Sequence, residues 1–147
     1  MQIDFRSIKT EDYEFLWRLH NAALKKYIEK TWGWDEDWQR RNFEKNFSVE
    51  DGQIIVYENT DIGFYWLIEK ENEILLASIR ITPEYQNRGI GTKIIEDLIA
   101  STTQKNKNLR LQVLKVNPAK KLYERLGFII KDETETHFIM EKKSTDV

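Results

Sequence analysis

At 147 residues, with 40% apolar, 33% charged and 12% aromatic side chains, the chain has the makeup of one globular domain with a real core. A net charge of −2 with no long basic run argues against a nucleic-acid partner gripped by phosphate neutralisation, and the absence of cysteine removes disulfides, a thiol nucleophile and thiolate metal sites. The opening residues hold no apolar leader core and no run approaches membrane-spanning length, so the expectation is a cytoplasmic protein with no membrane partner.

Ile3 to Ile8 alternates in and out as a first strand. Thr10 is placed to cap a helix running to about Trp32, with Tyr13, Leu16, Trp17, His20, Leu24, Tyr27 and Ile28 on one face. Gly33 breaks it, and Trp34 to Phe47 predicts a second, rougher helix. Gln53 to Tyr57 is a strand, and Asn59 to Gly63 has turn chemistry. Ile62 to Glu69 and Ile74 to Ile81 follow as strands, giving an antiparallel meander. From Gly89 to about Thr103, Ile90, Ile94, Ile95, Leu98 and Ile99 recur at helical spacing. Leu109 to Leu114 is a strand that must lie parallel to the one before that helix, because a helix carries the chain back. Asn117-Pro118 starts a last helix with Asn as N-cap and Pro at N1, and Gly127 suits its C-terminal end. Phe128 to Lys131 and Thr136 to Met140 predict a final hairpin. Residues 1–141 read as the domain and 142–147 as a polar tail. The order β-α-α-β-β-β-α-β-α-β-β predicts an α+β (α/β) domain with a mixed, mostly antiparallel sheet of about seven strands and four helices.

The stretch Gln86-Asn87-Arg88-Gly89-Ile90-Gly91-Thr92 joins a strand to a helix. The first N–H groups of a helix have no partner inside it and sit at the positive end of its dipole, and glycines let an anion approach the backbone, so this junction fits phosphate. A Walker A loop needs Lys then Ser/Thr after its last glycine, whereas Gly91 is followed by Thr92-Lys93. A dinucleotide fingerprint needs a third small residue where Ile94 stands. What remains, Q-x-x-G-x-G, resembles the pyrophosphate loop of the GNAT N-acetyltransferase superfamily. A second stretch, Asn117, Ala119, Tyr123, then Gly127-Phe128, looks like the other half of that family's signature, one helix and one strand further on. A small nucleotide-binding protein using the same loop is a rival reading, as is a non-catalytic GNAT-fold acyl-CoA-binding or regulatory module.

The resemblance implies a GNAT-like fold in which the fourth and fifth strands splay apart around the pantetheine of acetyl-CoA. It implies transfer of acetyl from acetyl-CoA to a primary amine by direct attack, with no metal and with homodimers frequent. The diphosphate would lie on the backbone of Gln86, Asn87, Arg88, Gly89, Ile90, Gly91 and Thr92, with a charge-assisted contact from Arg88 if that side chain is not simply solvated. Ile79 and Ile81 would offer backbone groups to the pantetheine, and Asn117 would add a contact near its own turn. Tyr123 would protonate the departing thiolate. A phenol, pKa about 10, and a thiol, about 8.5, are matched closely enough for that transfer; the other reading of Tyr123 is an aromatic completing the apolar face of its helix.

A lysine-like amine must also lose a proton, at roughly 4 kcal/mol near pH 7. N-terminal peptide acetyltransferases of this superfamily carry a Glu five residues before the Asn; here that position is Gln112, which takes no proton. Glu69, Glu73 and His20 are candidate bases by residue type alone. The family's first two helices wall the acceptor pocket, and Trp32, Trp34 and Asp35 pair aromatic rings with a carboxylate as a cationic amine would favour. The alternative is aromatic rings closing a core, with acids at a helix start.

Overall fold

The computed structural model describes residues 2–144, and its elements follow the predicted order. They are β1 (Ile3–Ser7), α1 (Tyr13–Trp32), α2 (Glu36–Asn46), β2 (Gly52–Tyr57), β3 (Thr60–Glu69), β4 (Glu73–Ile81), α3 (Ile90–Gln104), β5 (Asn108–Leu114), α4 (Ala119–Arg125), β6 (Ile129–Glu133) and β7 (His137–Lys142). The strands form one sheet in the order β1-β2-β3-β4-β5-β7-β6. Pairing is antiparallel between β1 and β2, β2 and β3, β5 and β7, and β6 and β7; β4 and β5 run parallel, as the intervening helix requires. Residues 145–147, in the expected tail, lie outside the described residues, and β7 runs through Lys142.

By its internal contacts the chain divides into two compact units, Met1–Trp66 with Ser78–Asn87, and Leu67–Ala77 with Arg88–Val147. In the first unit α1 buries Leu16, Trp17, Leu19 and Ile28. Leu16, Trp17 and Leu19 join Ile8, Phe43, Ile54, Phe64 and Trp66 in one apolar cluster. The Phe43 ring lies 5.5 Å from Trp17 and 5.7 Å from Trp66, and the indole N–H of Trp66 donates to the Ser48 carbonyl at 3.0 Å. Aromatic pairs of this kind add about 0.5–1.5 kcal/mol each beyond their burial. Gly33, at φ +79°, ends α1 with its N–H on the Glu29 carbonyl.

Three local expectations are corrected here. Thr10 does not cap α1; it opens a 3-10 turn, Thr10–Asp12, and Asp12 stands at the N-cap position of α1 with no side-chain bond into the helix, its carboxylate accepting the Lys9 N–H at 2.8 Å instead. The turn between β2 and β3 is Glu58-Asn59, both at positive φ (51° and 64°), the geometry that suits a two-residue hairpin, so Thr60 to Gly63 are strand. Gly63 serves close approach rather than turning: a Cβ there would stand 2.3 Å from the Arg80 carbonyl oxygen.

In the second unit α3 buries Ile90, Ile94, Ile95, Leu98 and Thr102, and β5 buries alternate residues Leu109, Leu111 and Val113. Met140 of β7 is fully buried opposite Leu111.

Two titratable groups in the first unit have a definite pH signature. Arg6 of β1 holds Asp12 through two bonds, 3.0 and 2.9 Å, and reaches Asp61 of β3 at 2.7 Å. That guanidinium pulls the Asp12 carboxyl below its ordinary value of 3.8. The native state therefore keeps Asp12 ionised to lower pH than the unfolded chain, so the contribution is full above about 3.8 and fades as pH falls towards the lower native value. Asp12→Ala should cost about 1–3 kcal/mol in urea unfolding at pH 7, with the gap from the parent narrowing as the pH falls below the ordinary Asp value. His20 behaves oppositely to an exposed histidine. Its ring stacks on Trp17 at 6.1 Å and lies 5.0 Å from Phe43, and burial, with Arg80 adding repulsion, lowers its pKa from 6.5 to about 3. The unfolded chain binds the proton first, so stability drains as pH falls from 6.5 towards about 3. His20→Phe should flatten the melting-temperature profile across that window, and an unchanged slope would contradict the buried neutral imidazole.

Candidate functional site

The strand-to-helix junction is built in four steps. A 3-10 turn, Pro83–Tyr85, follows β4, and the Gln86 side-chain amide donates to the Ile81 carbonyl at 2.8 Å. Asn87 adopts φ +61°, Gly89 adopts φ +83°, and α3 begins at Ile90. The Gly89 carbonyl accepts the Lys93 N–H at 3.1 Å, closing the first helical turn. No side chain caps α3 and its first turn carries no acid. The N–H groups of Ile90, Gly91 and Thr92 therefore have no acceptor within the helix and present the positive end of a 15-residue dipole. Ile90 is 1% exposed, which anchors this end of the helix to the core. Such an arrangement can hold a phosphate or diphosphate through backbone alone. Arg88 is exposed.

Asn117 is not the N-cap itself: Pro118 occupies that position, and the Asn117 side-chain oxygen accepts the Ala119 N–H at 2.9 Å from one residue further back. What Asn117 can offer a ligand is thus its amide N–H groups. Tyr123 is 8% exposed, and its carbonyl accepts the Phe128 N–H at 3.0 Å while the Gly127 N–H donates to the Glu124 carbonyl at 3.0 Å. With Gly127 at φ +98° and the Tyr123 and Phe128 rings edge-on at 5.7 Å, this is a complete Schellman ending of α4. The spacing Tyr123, Gly127, Phe128 is therefore fixed by helix termination.

Ile79 and Ile81 are half-buried and share one side of β4. The β4–β5 register pairs Glu73 to Leu76 with Asn108 to Leu111, and β4 continues past it to Ile81.

Among the expected acceptor residues, Trp34 packs on the first unit's core, with its ring 6.5 Å from Trp17 and its N–H on Glu36 at 2.6 Å. Asp35 caps α2 by accepting the Trp38 N–H at 3.0 Å. Trp32 is 58% exposed at the end of α1. Each candidate base is engaged elsewhere. Glu69 bonds Lys105 and Lys107, at 3.3 and 2.7 Å, which hold its carboxyl below the usual range; Glu73 lies 3.6 Å from Arg110; His20 is neutral and stacked. Among the described residues no cluster of His, Asp or Glu could hold a metal ion.

Three polar residues escaped the sequence reading: Asn21 on α1, and Arg80 and Thr82 on and just beyond β4. The oxygens Asn21 Oδ1 and Thr82 Oγ1 are buried with no hydrogen-bond partner among the described residues.

Comparison with known proteins bears on the family and the fold. The 5-NmdU N-acetyltransferase of Pseudomonas phage PaMx11 is 37% identical over 84 residues, covering 55% of this chain and 59% of that protein. The cysteine-rich protein 2-binding protein of Mus musculus is 32% identical over 85 residues, 56% of this chain but 10% of that protein. This chain thus spans less than two thirds of either relative's length. In fold it resembles the PaiA N-acetyltransferase of Thermoplasma acidophilum, whose crystal structure is a complex with coenzyme A, at a TM-score of 0.77 and 24% identity over 97% of this chain and 99% of that one. It also resembles the ribosomal-protein-S18-alanine N-acetyltransferase of Escherichia coli, at 0.72 and 22% over 99% and 96%. The family model for an acetyltransferase (GNAT) domain matches residues 50–130, a stretch that contains the glycine junction and the Asn117 to Phe128 motif: the chain belongs to the GNAT acetyltransferase family.

Proposed function

We propose that this protein is an N-acetyltransferase that moves an acetyl group from acetyl-CoA to a primary amine by direct attack. The observation that carries the reading is the uncapped, acid-free start of α3 behind a left-handed Gly89, in a chain of the GNAT family. Acetyl-CoA, when bound, supplies an acyl group activated on sulfur. The amides of Ile90, Gly91 and Thr92 hold its diphosphate, the Gln86 to Gly89 backbone shapes the approach, and Arg88 adds a charge-assisted contact. The backbone of Ile79 and Ile81, beyond the β4–β5 register, receives the pantetheine arm, and the Asn117 amide N–H groups contact the cofactor.

As the amine nitrogen bonds to the acyl carbon the carbon–sulfur bond breaks, and Tyr123 gives its phenolic proton to the sulfur. The amine's own proton leaves to water, because Glu69, Glu73 and His20 are engaged. That engagement is also what favours the second reading, a GNAT-fold acyl-CoA-binding module without turnover. The acceptor-side roles of Trp32, Trp34 and Asp35 narrow to Trp32, since the other two have structural work. A cytoplasmic location belongs to the same proposal, as does a homodimer, which the family often forms. The absence of nucleic-acid and membrane partners rests on composition alone.

Thiol release by the purified protein over a panel of amines separates the two readings: an enzyme turns over, whereas a binder shows affinity for acetyl-CoA and no release. Tyr123→Phe should lower kcat by about a hundredfold with the KM for acetyl-CoA unchanged; an unaltered rate would remove Tyr123 as the acid. Gly89→Glu should weaken coenzyme A binding at least about tenfold in calorimetry, because it sets a carboxylate where the helix start attracts anions. Normal affinity in that variant would refute the loop assignment.

A further inference from the structure

Within the unit formed by Leu67–Ala77 and Arg88–Val147, the two sides of the sheet differ in what they carry. Successive residues of a strand face opposite sides. The pairing registers align Leu76, Leu111, Met140 and Ile130 in one row across β4, β5, β7 and β6. Leu76, Leu111 and Met140 are buried. Helix α4 stands on that side too, since Lys120 Nζ lies 4.6 Å from the ring of Phe138, which shares the Met140 side of β7. The neighbouring row, facing the other way, is Leu75, Arg110, Glu141 and Ile129. Ile129 is 49% exposed, and Ala77 and Gln112, next along this side, are exposed as well.

That row reads apolar, cation, anion, apolar. Arg110 lies 3.6 Å from Glu73, an ion pair too long for a hydrogen bond, so its guanidinium keeps donors for a further acceptor. Glu141 sits low between Arg110 and Ile129, only 8% exposed, and its carboxylate makes no hydrogen bond or ion pair among the described residues. A carboxylate so placed is costly until a cation reaches it, and the cation must be carried on a long side chain. A two-fold axis along the strands, between β5 and β7, turns the row onto itself. It sets Arg110 of one copy against the partner's Glu141 and Leu75 against the partner's Ile129.

We propose that this side of the sheet is the face on which two copies of the chain pair, about that axis. An isologous contact needs a patch that complements itself, and this row does so in charge and in apolar character. A partner of one charge sign would meet a like charge at Arg110 or at Glu141, whereas a second copy brings the opposite sign to both. This inference rests on the homodimer already proposed and gives it a face. It is independent of the chemistry, because association and thiol release are separate measurements.

The test is sedimentation equilibrium over a concentration series reaching about 100 µM, far above a micromolar Kd. The samples are the wild type, Ile129→Asp, Arg110→Glu, Glu141→Lys and a one-to-one mixture of the last two. The wild type should reach twice the 17.7 kDa mass of the chain. Each single variant should raise the dimer Kd at least about tenfold. The mixture should return it to within about threefold of the wild type. In the mixed dimer the two substituted positions carry opposite charges, as do the two left untouched, and a loss of fold cannot produce that recovery. Should circular dichroism show either charge variant unfolded, Ile129→Asp decides, because its side chain is exposed in the single copy. A wild type that stays at the chain mass throughout overturns both the face and the dimer. A dimer whose Kd ignores Ile129→Asp or the folded charge variants, or a mixture of those variants that stays weak, overturns the face alone.

Discussion

A helix cannot satisfy its own first N–H groups, and in this protein no side chain does so for α3. That constraint leaves the amides of Ile90, Gly91 and Thr92 without an acceptor inside the helix, an arrangement suited to an anion. Gly89 makes it possible: at φ +83° a side chain would be strained, and the left-handed residue lets the chain turn straight from the 3-10 segment into the helix. The fully buried Ile90 and the run Ile94, Ile95 and Leu98 then fix the helix in its core, so the amides are presented by a rigid element rather than a loose loop. The same logic explains why acids are missing from the first turn of α3 although Glu36 and Asp37 occupy that place in α2. In α2 the dipole is met by the protein's own carboxylates; in α3 no acid of the first turn meets it.

The residues of the second family motif tie down both ends of one helix. Tyr123, Gly127 and Phe128 terminate α4 through two backbone bonds and a ring contact. Asn117 organises its start through the Ala119 N–H. These bonds hold a seven-residue helix that is too short to persist on its own, and they fix the backbone from which the Tyr123 phenol projects. A residue proposed to hand over a proton is best carried on a frame whose ends are both tied.

Much of this was legible in the sequence, for physical reasons that differ by element. The order of strands and helices followed from apolar period and from Gly33, Pro118 and Gly127, each of which has a single dominant backbone consequence. The parallel pairing of β4 with β5 followed from the helix between them. What the sequence hid was set by distant partners. Asp12, not Thr10, stands at the N-cap position of α1, and its carboxylate is taken by Arg6 and the Lys9 N–H rather than by the helix. Gly63 looked like a turn residue because nothing local reveals the Arg80 carbonyl pressing on it. Trp34 and Asp35 read either as substrate residues or as a core ring and a helix start, and only the structure shows the Trp17 contact and the α2 cap they make. Asn21 and Thr82 became visible only once burial showed that their oxygens lack partners.

The central claim is that a diphosphate binds the bare amides at the start of α3. Amide nitrogen–proton NMR spectra of the labelled protein, titrated with coenzyme A and then with inorganic pyrophosphate, test it directly. The account predicts that the signals of Ile90, Gly91 and Thr92 shift and exchange more slowly with both ligands. Coenzyme A that binds while these three signals stay in place, or that does not bind at all, would contradict it.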